Sequence, residues 1–270
     1  MTIPDWYARE NLSHAGIDLR IVATDADLYY EMALEMQATL LHTGGAARFI
    51  VPVGPTFYLE RFVRLVTALP TPIAAARFFF MDEYLDANGR LLDAASPISF
   101  RGFVQRHFTQ PLVDSGHIVA DQVMFPDPSD PAAYDQAIAD GGIDLCLAGV
   151  GITGHLAFNE PPQSDEAEFW DTDTRCVALT PQTLAINANT ALGGAIDVLP
   201  RHAITVGMRQ ILAAQKLSIY LNRPWQRAVV RRMLYGPVSP AFPASKVQQH
   251  HHATVTLTRI VAEPPQFALK

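Results

Sequence analysis

The stretch IDLCLAGVGITGHLAFNEPP, Ile143 to Pro162, decides how the chain reads. Ile143 to Ala148 is a short, mostly apolar run, which suits a strand buried on both faces of a parallel sheet. Gly149, Gly151 and Gly154 then relax the backbone. His155, Asn159 and Glu160 set an imidazole, an amide and a carboxylate at the strand's carboxyl end, before Pro161 and Pro162 forbid a helix. Open α/β sheets hold their ligands at such strand ends. The glycines also spell G-x-G-x-x-G, with Asp171 and Asp173 about 20 residues on, as a dinucleotide fingerprint asks. That fingerprint needs its last glycine to open a helix that receives the pyrophosphate, and the proline pair prevents one. The turn therefore reads as a ligand turn without dinucleotide binding.

Outward from this turn, strands and helices alternate. Leu19 to Ala23 reads as a first strand, and Asp25 as the N-cap of a helix to about Leu41 with Leu28, Met32, Leu34, Met36 and Leu40 at helical spacing. Arg48 to Val53 is a second strand. It enters the turn Pro52-Val53-Gly54-Pro55-Thr56 and a helix from Tyr58 to Leu69. Strand, turn and helix at this spacing cradle phosphate with backbone N–H groups and a hydroxyl, which makes Gly54 and Thr56 candidates. Arg77 to Phe80 is a third strand running into Asp82 and Glu83. Glu83 reads as a cap for whatever follows. Asp82, beside Phe78, Phe79, Phe80 and Met81, reads as a carboxylate that apolar surroundings make able to take protons. Helices are expected over Phe100 to Val113, Ala132 to Ala139 and, with proline first, Pro224 to Leu234. Met208 to Ala214 reads as a helical turn or two. Strands are expected over Thr174 to Leu179, Pro200 to Val206, Lys216 to Leu221 and Thr254 to Leu257, and Gln163 to Asp173 is an acidic loop. The fold class is α/β: a doubly wound, mainly parallel sheet flanked by helices, Rossmann-like, with right-handed crossovers.

Nothing resembling a Gly/Ser linker or a charge block divides the 270 residues, so Met1 to Asp18 reads as an arm and Leu19 to Lys270 as one domain. Hydrophobic residues make up 49%, enough for a sizeable core, yet no apolar run approaches the roughly 18 residues that span a bilayer. The first residues lack the basic-then-apolar order of a signal peptide. Of the two cysteines, Cys146 and Cys176, the first falls in a buried strand, so a reducing, cytoplasmic setting is expected. The 27 acids against 20 bases offer no global field for nucleic acid, although a local basic pocket for an anion stays open. His250, His251 and His252 alternate faces on a strand and have no C-x-x-C or H-E-x-x-H beside them, so no metal site is read there.

Three stretches together resemble one family. Met81-Asp82-Glu83-Tyr84, the turn from Gly149 to Pro161, and Ala203-Ile204-Thr205-Val206-Gly207 with Pro243-Ala244-Ser245 are similar, in order and spacing over residues 19 to 260, to the glucosamine-6-phosphate deaminase/isomerase superfamily, which includes the 6-phosphogluconolactonases. The Ala157-Phe158-Asn159-Glu160-Pro161 continuation resembles the deaminases rather than the lactonases. The resemblance implies aldose–ketose chemistry on a phosphorylated amino sugar, with release of ammonia and no cofactor. Asp82 would shuttle a proton between C1 and C2, His155 would assist release of the ring oxygen, and Glu160 would support His155. Each such acid or base is worth roughly 10²–10⁴ in rate. Gly151, Thr153 and Gly154 fall in the matched turn as substrate-binding positions. Arg175 matches the family arginine that holds the phosphate, a role suited to its fork of donors.

Three positions depart from the deaminase pattern. Thr153 stands where deaminases carry an aspartate, Pro55 replaces a phosphate-loop glycine and removes an N–H donor, and Gln226 stands where the family has a phosphate-binding lysine. Arg223 or Arg227 could substitute for that lysine. The departures point to a divergent member, and two alternatives stay open: hydrolysis of a sugar lactone with His155 activating water, and a sugar-phosphate sensor that kept the fold without the chemistry. The expected partner is a small phosphorylated sugar, not nucleic acid or a membrane, with a homo-oligomer left open.

Overall fold

From its amino end the chain forms β1 (Ile17–Val22), α1 (Asp25–His42), β2 (Arg48–Val51), α2 (Phe57–Ala68) and β3 (Arg77–Phe80). Next come β4 (Asp82–Leu85), α3 (Phe100–Val104) and α4 (Gln110–Asp114), the two helices joined by a wide turn at Gln105–Thr109. β5 (Val123–Met124), α5 (Pro131–Ala139), β6 (Leu145–Ala148), β7 (Arg175–Ala178) and α6 (Pro181–Ala191) follow. The chain closes with β8 (His202–Thr205), α7 (Met208–Leu212), β9 (Lys216–Leu221), α8 (Gln226–Tyr235), β10 (Ala253–Thr258) and α9 (Arg259–Ala262). This computed structural model describes residues 3–162 and 167–268. Met1, Thr2, Leu269 and Lys270 of the expected arm and domain, and Gln163 to Glu166 of the expected acidic loop, lie outside the described residues.

Seven strands pair in the order β1-β10-β9-β6-β2-β3-β5, every neighbouring pair parallel. Successive side chains of a strand face opposite ways, so one apolar run feeds two cores. Ile50, Phe79 and Cys146 pack on one face, and Phe49, Val51, Phe78, Phe80, Leu145 and Leu147 on the other. The chain winds outward from β2 through β3 to β5, returns to β6 on the far side of β2, and continues through β9 to β10. The order reverses between β2 and β6, and the crevice beyond their carboxyl ends is the switch point where such sheets take ligands.

A second, three-stranded antiparallel sheet, β4-β8-β7, was not expected from the sequence. Met81 is the residue at which the chain passes from one sheet to the other: its N–H donates to Val51 O in the parallel sheet, and its carbonyl accepts from Val206 N beside β8. Asp82 therefore opens a new strand instead of ending the third.

Several boundaries differ from the sequence reading. Thr24, not Asp25, caps α1, because the Asp27 carboxylate reaches back to Thr24 N at 2.9 Å while the Thr24 hydroxyl accepts from Asp27 N. β2 ends at Val51, ahead of Pro52, which has no N–H to carry the ladder on. β6 begins at Leu145 instead of Ile143. Just before it, the Asp144 carboxylate accepts from Arg48 N at 2.8 Å. Pro224 precedes α8 instead of opening it, and Trp225 is the cap residue. After Gly154, at φ +87°, no helix forms up to Pro162. The first residues pack on the chain's own carboxyl-terminal helices: buried Arg231 donates to Arg9 O at 2.8 Å and Ala262 O at 2.8 Å, and Tyr235 Oη accepts from Ser13 N at 2.8 Å. Among the described residues no helix is long and apolar enough to cross a membrane.

Candidate active site

A cavity of about 230 Å³ occupies the switch point. The turn after β2 (Pro52 to Pro55) and the glycine turn after β6 (Gly149 to Gly151) form two of its walls, and Asp82, His155, Asn187, Thr190 and Arg223 bring the polar groups.

Asp82 and Glu83 are adjacent on β4 and do different things. Glu83 is fully buried, and its carboxylate accepts from Ser99 Oγ at 2.9 Å, Phe100 N at 3.1 Å and Arg101 N at 2.8 Å, so it caps the start of α3 together with the N-cap residue Ser99, whose Oγ accepts from Gly102 N. Asp82 is 7% exposed and lines the cavity. Burial, with the charge of Glu83 adding to it, pushes the Asp82 carboxyl up to about 8. It is a carboxylate whose proton can come and go near neutral pH.

His155 presents its other edge to a polar cluster. Its Nδ1 lies 3.0 Å from Thr153 Oγ1, 3.2 Å from Glu160 Oε2 and 3.3 Å from Thr183 Oγ1. The Thr153 hydroxyl donates to Glu160 Oε2 at 2.7 Å, so its oxygen accepts from Nδ1–H. These bonds assign the proton to Nδ1 and leave Nε2 with a lone pair, over Gly151. A Cβ on Gly151 would fall 2.0 Å from Nε2, so only glycine lets the ring sit there. Burial acts to raise Glu160, but the hydrogen bonds it accepts, from His155 first and then from Thr183 and Thr153, outweigh it and hold the carboxyl down to about 2. The other oxygen, Oε1, accepts from Thr180 N at 3.3 Å and Thr180 Oγ1 at 3.2 Å at the start of α6. The orienting carboxylate that Thr153 lacks is thus supplied by Glu160, with Thr153 as the bridge. Ala157, at φ +51°, lines the cavity and bends the chain back so that Glu160 reaches a histidine five residues earlier.

The remaining expected positions divide. Gly54, Gly151 and Arg223 line the cavity, whereas Thr56, Thr153, Gly154, Glu160, Arg175 and Arg227 do not. Gly154 serves packing, since a Cβ there would meet the Phe242 ring at 2.4 Å. Thr56 is the cap residue of α2 and makes no side-chain cap bond. Arg175 lies in register with Thr205, itself opposite Asp82, so the two share a sheet face a strand apart. Its guanidinium donates to Asn159 Oδ1 at 2.8 Å and Asp173 O at 3.2 Å, holding the turn instead of entering the cavity. Arg227 donates to Ile260 O at 2.8 Å and pairs with Glu263. Gln226 is buried and internally bonded, its Nε2 donating to Val150 O at 2.8 Å.

Sequence reasoning missed α6 altogether. Thr183 touches His155, Asn187 and Thr190 line the cavity, and Asn187 Nδ2 donates to Tyr84 Oη at 3.2 Å. The signal was present in the cap Thr180 followed by Pro181, and in polar residues at 183, 187 and 190 on one helical face. Among the described residues no group of three or more His, Cys, Asp or Glu is arranged to hold a metal ion.

No family model matches the chain. The glucosamine-6-phosphate deaminase of Streptomyces coelicolor is 32% identical to it over 257 residues, covering 92% of this chain and 93% of that protein. The glucosamine-6-phosphate deaminase of Lachnoclostridium phytofermentans is 41% identical over 123 residues, 45% of this chain and 49% of that one. Among solved structures, a monomeric glucosamine-6-phosphate deaminase superposes with TM-score 0.78 at 24% identity, over 91% of this chain and 99% of its own. The 6-phosphogluconolactonase from Shewanella baltica OS155 does so with TM-score 0.64 at 18% identity, over 90% and 98%. These two structural likenesses show the fold alone.

Proposed function

The chain belongs to the glucosamine-6-phosphate deaminase family, and from that premise we propose that it converts a phosphorylated amino sugar to a ketose phosphate, with Asp82 and His155 as its catalytic residues and Glu160 positioning His155. The observation that supports this most is that Asp82 and His155 line one cavity at the switch point of the sheet. His155 Nε2 takes the O1 proton of the cyclic sugar as the C1–O5 bond breaks and returns it to O5, giving the open aldehyde. The aldehyde acidifies the C2 proton. Asp82 takes that proton and delivers it to C1, which moves the carbonyl oxidation level to C2 and leaves an imine there. Water adds to the imine and ammonia leaves, so the ketose forms with no net oxidation.

Free Asp82 is held near 8 mainly by burial. The substrate's ammonium, an opposite charge entering the same cavity, favours the carboxylate and readies the base as it binds. The reading includes a single α/β domain in a cytoplasmic setting, supported by two cysteines that are both free, with no role for nucleic acid.

The test is release of ammonia together with ketose phosphate from a panel of hexosamine 6-phosphates. Turnover by the unaltered protein that falls at least 100-fold in Asp82→Asn is expected. No turnover above that variant on any of them would remove the proposal. A lactonase would instead keep its activity in Asp82→Asn and lose it in His155→Ala.

A further inference from the structure

We propose that Arg223 is the anion anchor of the cavity, taking the phosphate of the substrate from a turn that Gln226 clamps in place; the inference rests on the reading of the site as that of an amino-sugar-phosphate enzyme. Arg223 is the one lysine or arginine among the lining residues. Its guanidinium makes no hydrogen bond or ion pair among the described residues; only its backbone is engaged, the N–H donating to Gln226 Oε1 and the carbonyl accepting from Gln226 N. Arg175 and Arg227, by contrast, are occupied elsewhere. A half-buried guanidinium with its whole fork of donors free, set beside a sugar-sized cavity, is matched to a phosphate.

The turn that carries it is built to hold still. Gln226 Oε1 accepts from Asn222 N at 3.0 Å and Arg223 N at 2.8 Å, while its Nε2 donates to Val150 O in the glycine turn at 2.8 Å. Only an amide side chain does both, because lysine has no acceptor. The residue that replaces the family lysine thus fixes the backbone of the arginine three positions earlier, and ties it to the turn that bears His155. Trp225 Nε1, in the same turn, is a buried donor with no partner. Asn222 Nδ2 donates to Tyr29 Oη at 3.1 Å, and the Tyr29 ring lies 5.6 Å from that of Phe57 at the start of α2. Gly54 and Pro55, just before α2, line the same cavity as Arg223.

The probe is glucitol 6-phosphate, an open-chain analogue that cannot react, titrated calorimetrically into the unaltered protein, Arg223→Met and Arg223→Lys, with glucitol alongside. Arg223→Met should weaken the phosphate ester roughly 10- to 100-fold, leave any binding of glucitol unchanged, and keep the thermal midpoint, with Arg223→Lys in between. The same variant should raise KM for the hexosamine 6-phosphate far more than it lowers kcat. Equal affinity of the unaltered protein and Arg223→Met for glucitol 6-phosphate, no binding by either, or an equal loss for glucitol and its ester would overturn the anchor. Arg223-dependent binding without turnover of any hexosamine 6-phosphate would keep the anchor and remove the enzymatic reading.

Discussion

Asp82→Asn should lose activity and gain stability, and the gain should grow with pH. In the folded chain burial and Glu83 keep the Asp82 carboxyl protonated up to about 8, against an ordinary value of 3.8. A raised acid works against folding as pH rises: the unfolded chain releases the proton near 3.8, the folded chain retains it, and each pH unit between costs about 1.4 kcal/mol. Between pH 4.5 and 7.5 the sum is roughly 4 kcal/mol, a cost that asparagine, with nothing to titrate, escapes. Glu160 does not confuse the comparison. Its carboxyl is depressed from 4.5 to about 2, so its contribution is present throughout that range and is lost only as pH falls below it. Urea unfolding of both proteins at the two pH values measures the difference directly. The account predicts that the stability difference, variant minus unaltered, widens by roughly 4 kcal/mol from pH 4.5 to 7.5, while ammonia release disappears. A difference that is the same at both pH values would show that Asp82 ionises normally, and the argument for it as a tuned base would fail.

Other perturbations test neighbouring links. Thr153→Val removes the hydroxyl between His155 and Glu160 and should lower kcat roughly 10-fold, the worth of about 1.5 kcal/mol in one charge-assisted bond, while Thr153→Ser retains activity. Steady-state rates decide it, and a fully active valine variant would remove Thr153 from the machinery. Gly151→Ala forces the imidazole aside, and a shift of about 1 Å at a catalytic group costs roughly 10²-fold in rate; an alanine variant with unaltered kcat would place Nε2 elsewhere. Glu83→Ala removes the carboxylate that shares the capping of α3 with Ser99 and leaves buried donors unpaired, so denaturant unfolding should register a loss of about 3 kcal/mol, and a loss below about 0.5 kcal/mol would contradict the capping role. The pH profile of kcat/KM for the hexosamine phosphate should climb as pH rises toward about 8, the point at which free Asp82 becomes a base.

The central strands of the parallel sheet were legible because they are buried on both faces, so Arg77–Phe80 and Lys216–Leu221 stand out as unbroken runs and match the structure residue for residue, whereas the two half-buried residues of the edge strand β5 were missed. The small antiparallel sheet was not. Glu83 is acceptable inside it only because Ser99, Phe100 and Arg101, well over ten residues later, supply its donors, and no local pattern announces a partner so far along the chain. Asp82 and His155 could be singled out from strand ends and glycine spacing. Whether Arg175 entered the cavity could not, since strand alternation does not say which face is the useful one, and its pairing with Asn159 is a tertiary fact. Thr153 shows the same limit. Its identity reveals a missing carboxylate, but only the fold reveals that Glu160 reaches the same ring nitrogen.

Glucosamine 6-phosphate carrying deuterium at C2, followed by NMR during the reaction, tests the central claim that Asp82 moves that hydrogen within the cavity it shares with His155. The account predicts that the unaltered protein carries the label from C2 to C1 or to water as ketose forms, and that Asp82→Asn leaves it at C2. Loss of the label from C2 at an undiminished rate in Asp82→Asn would contradict the account.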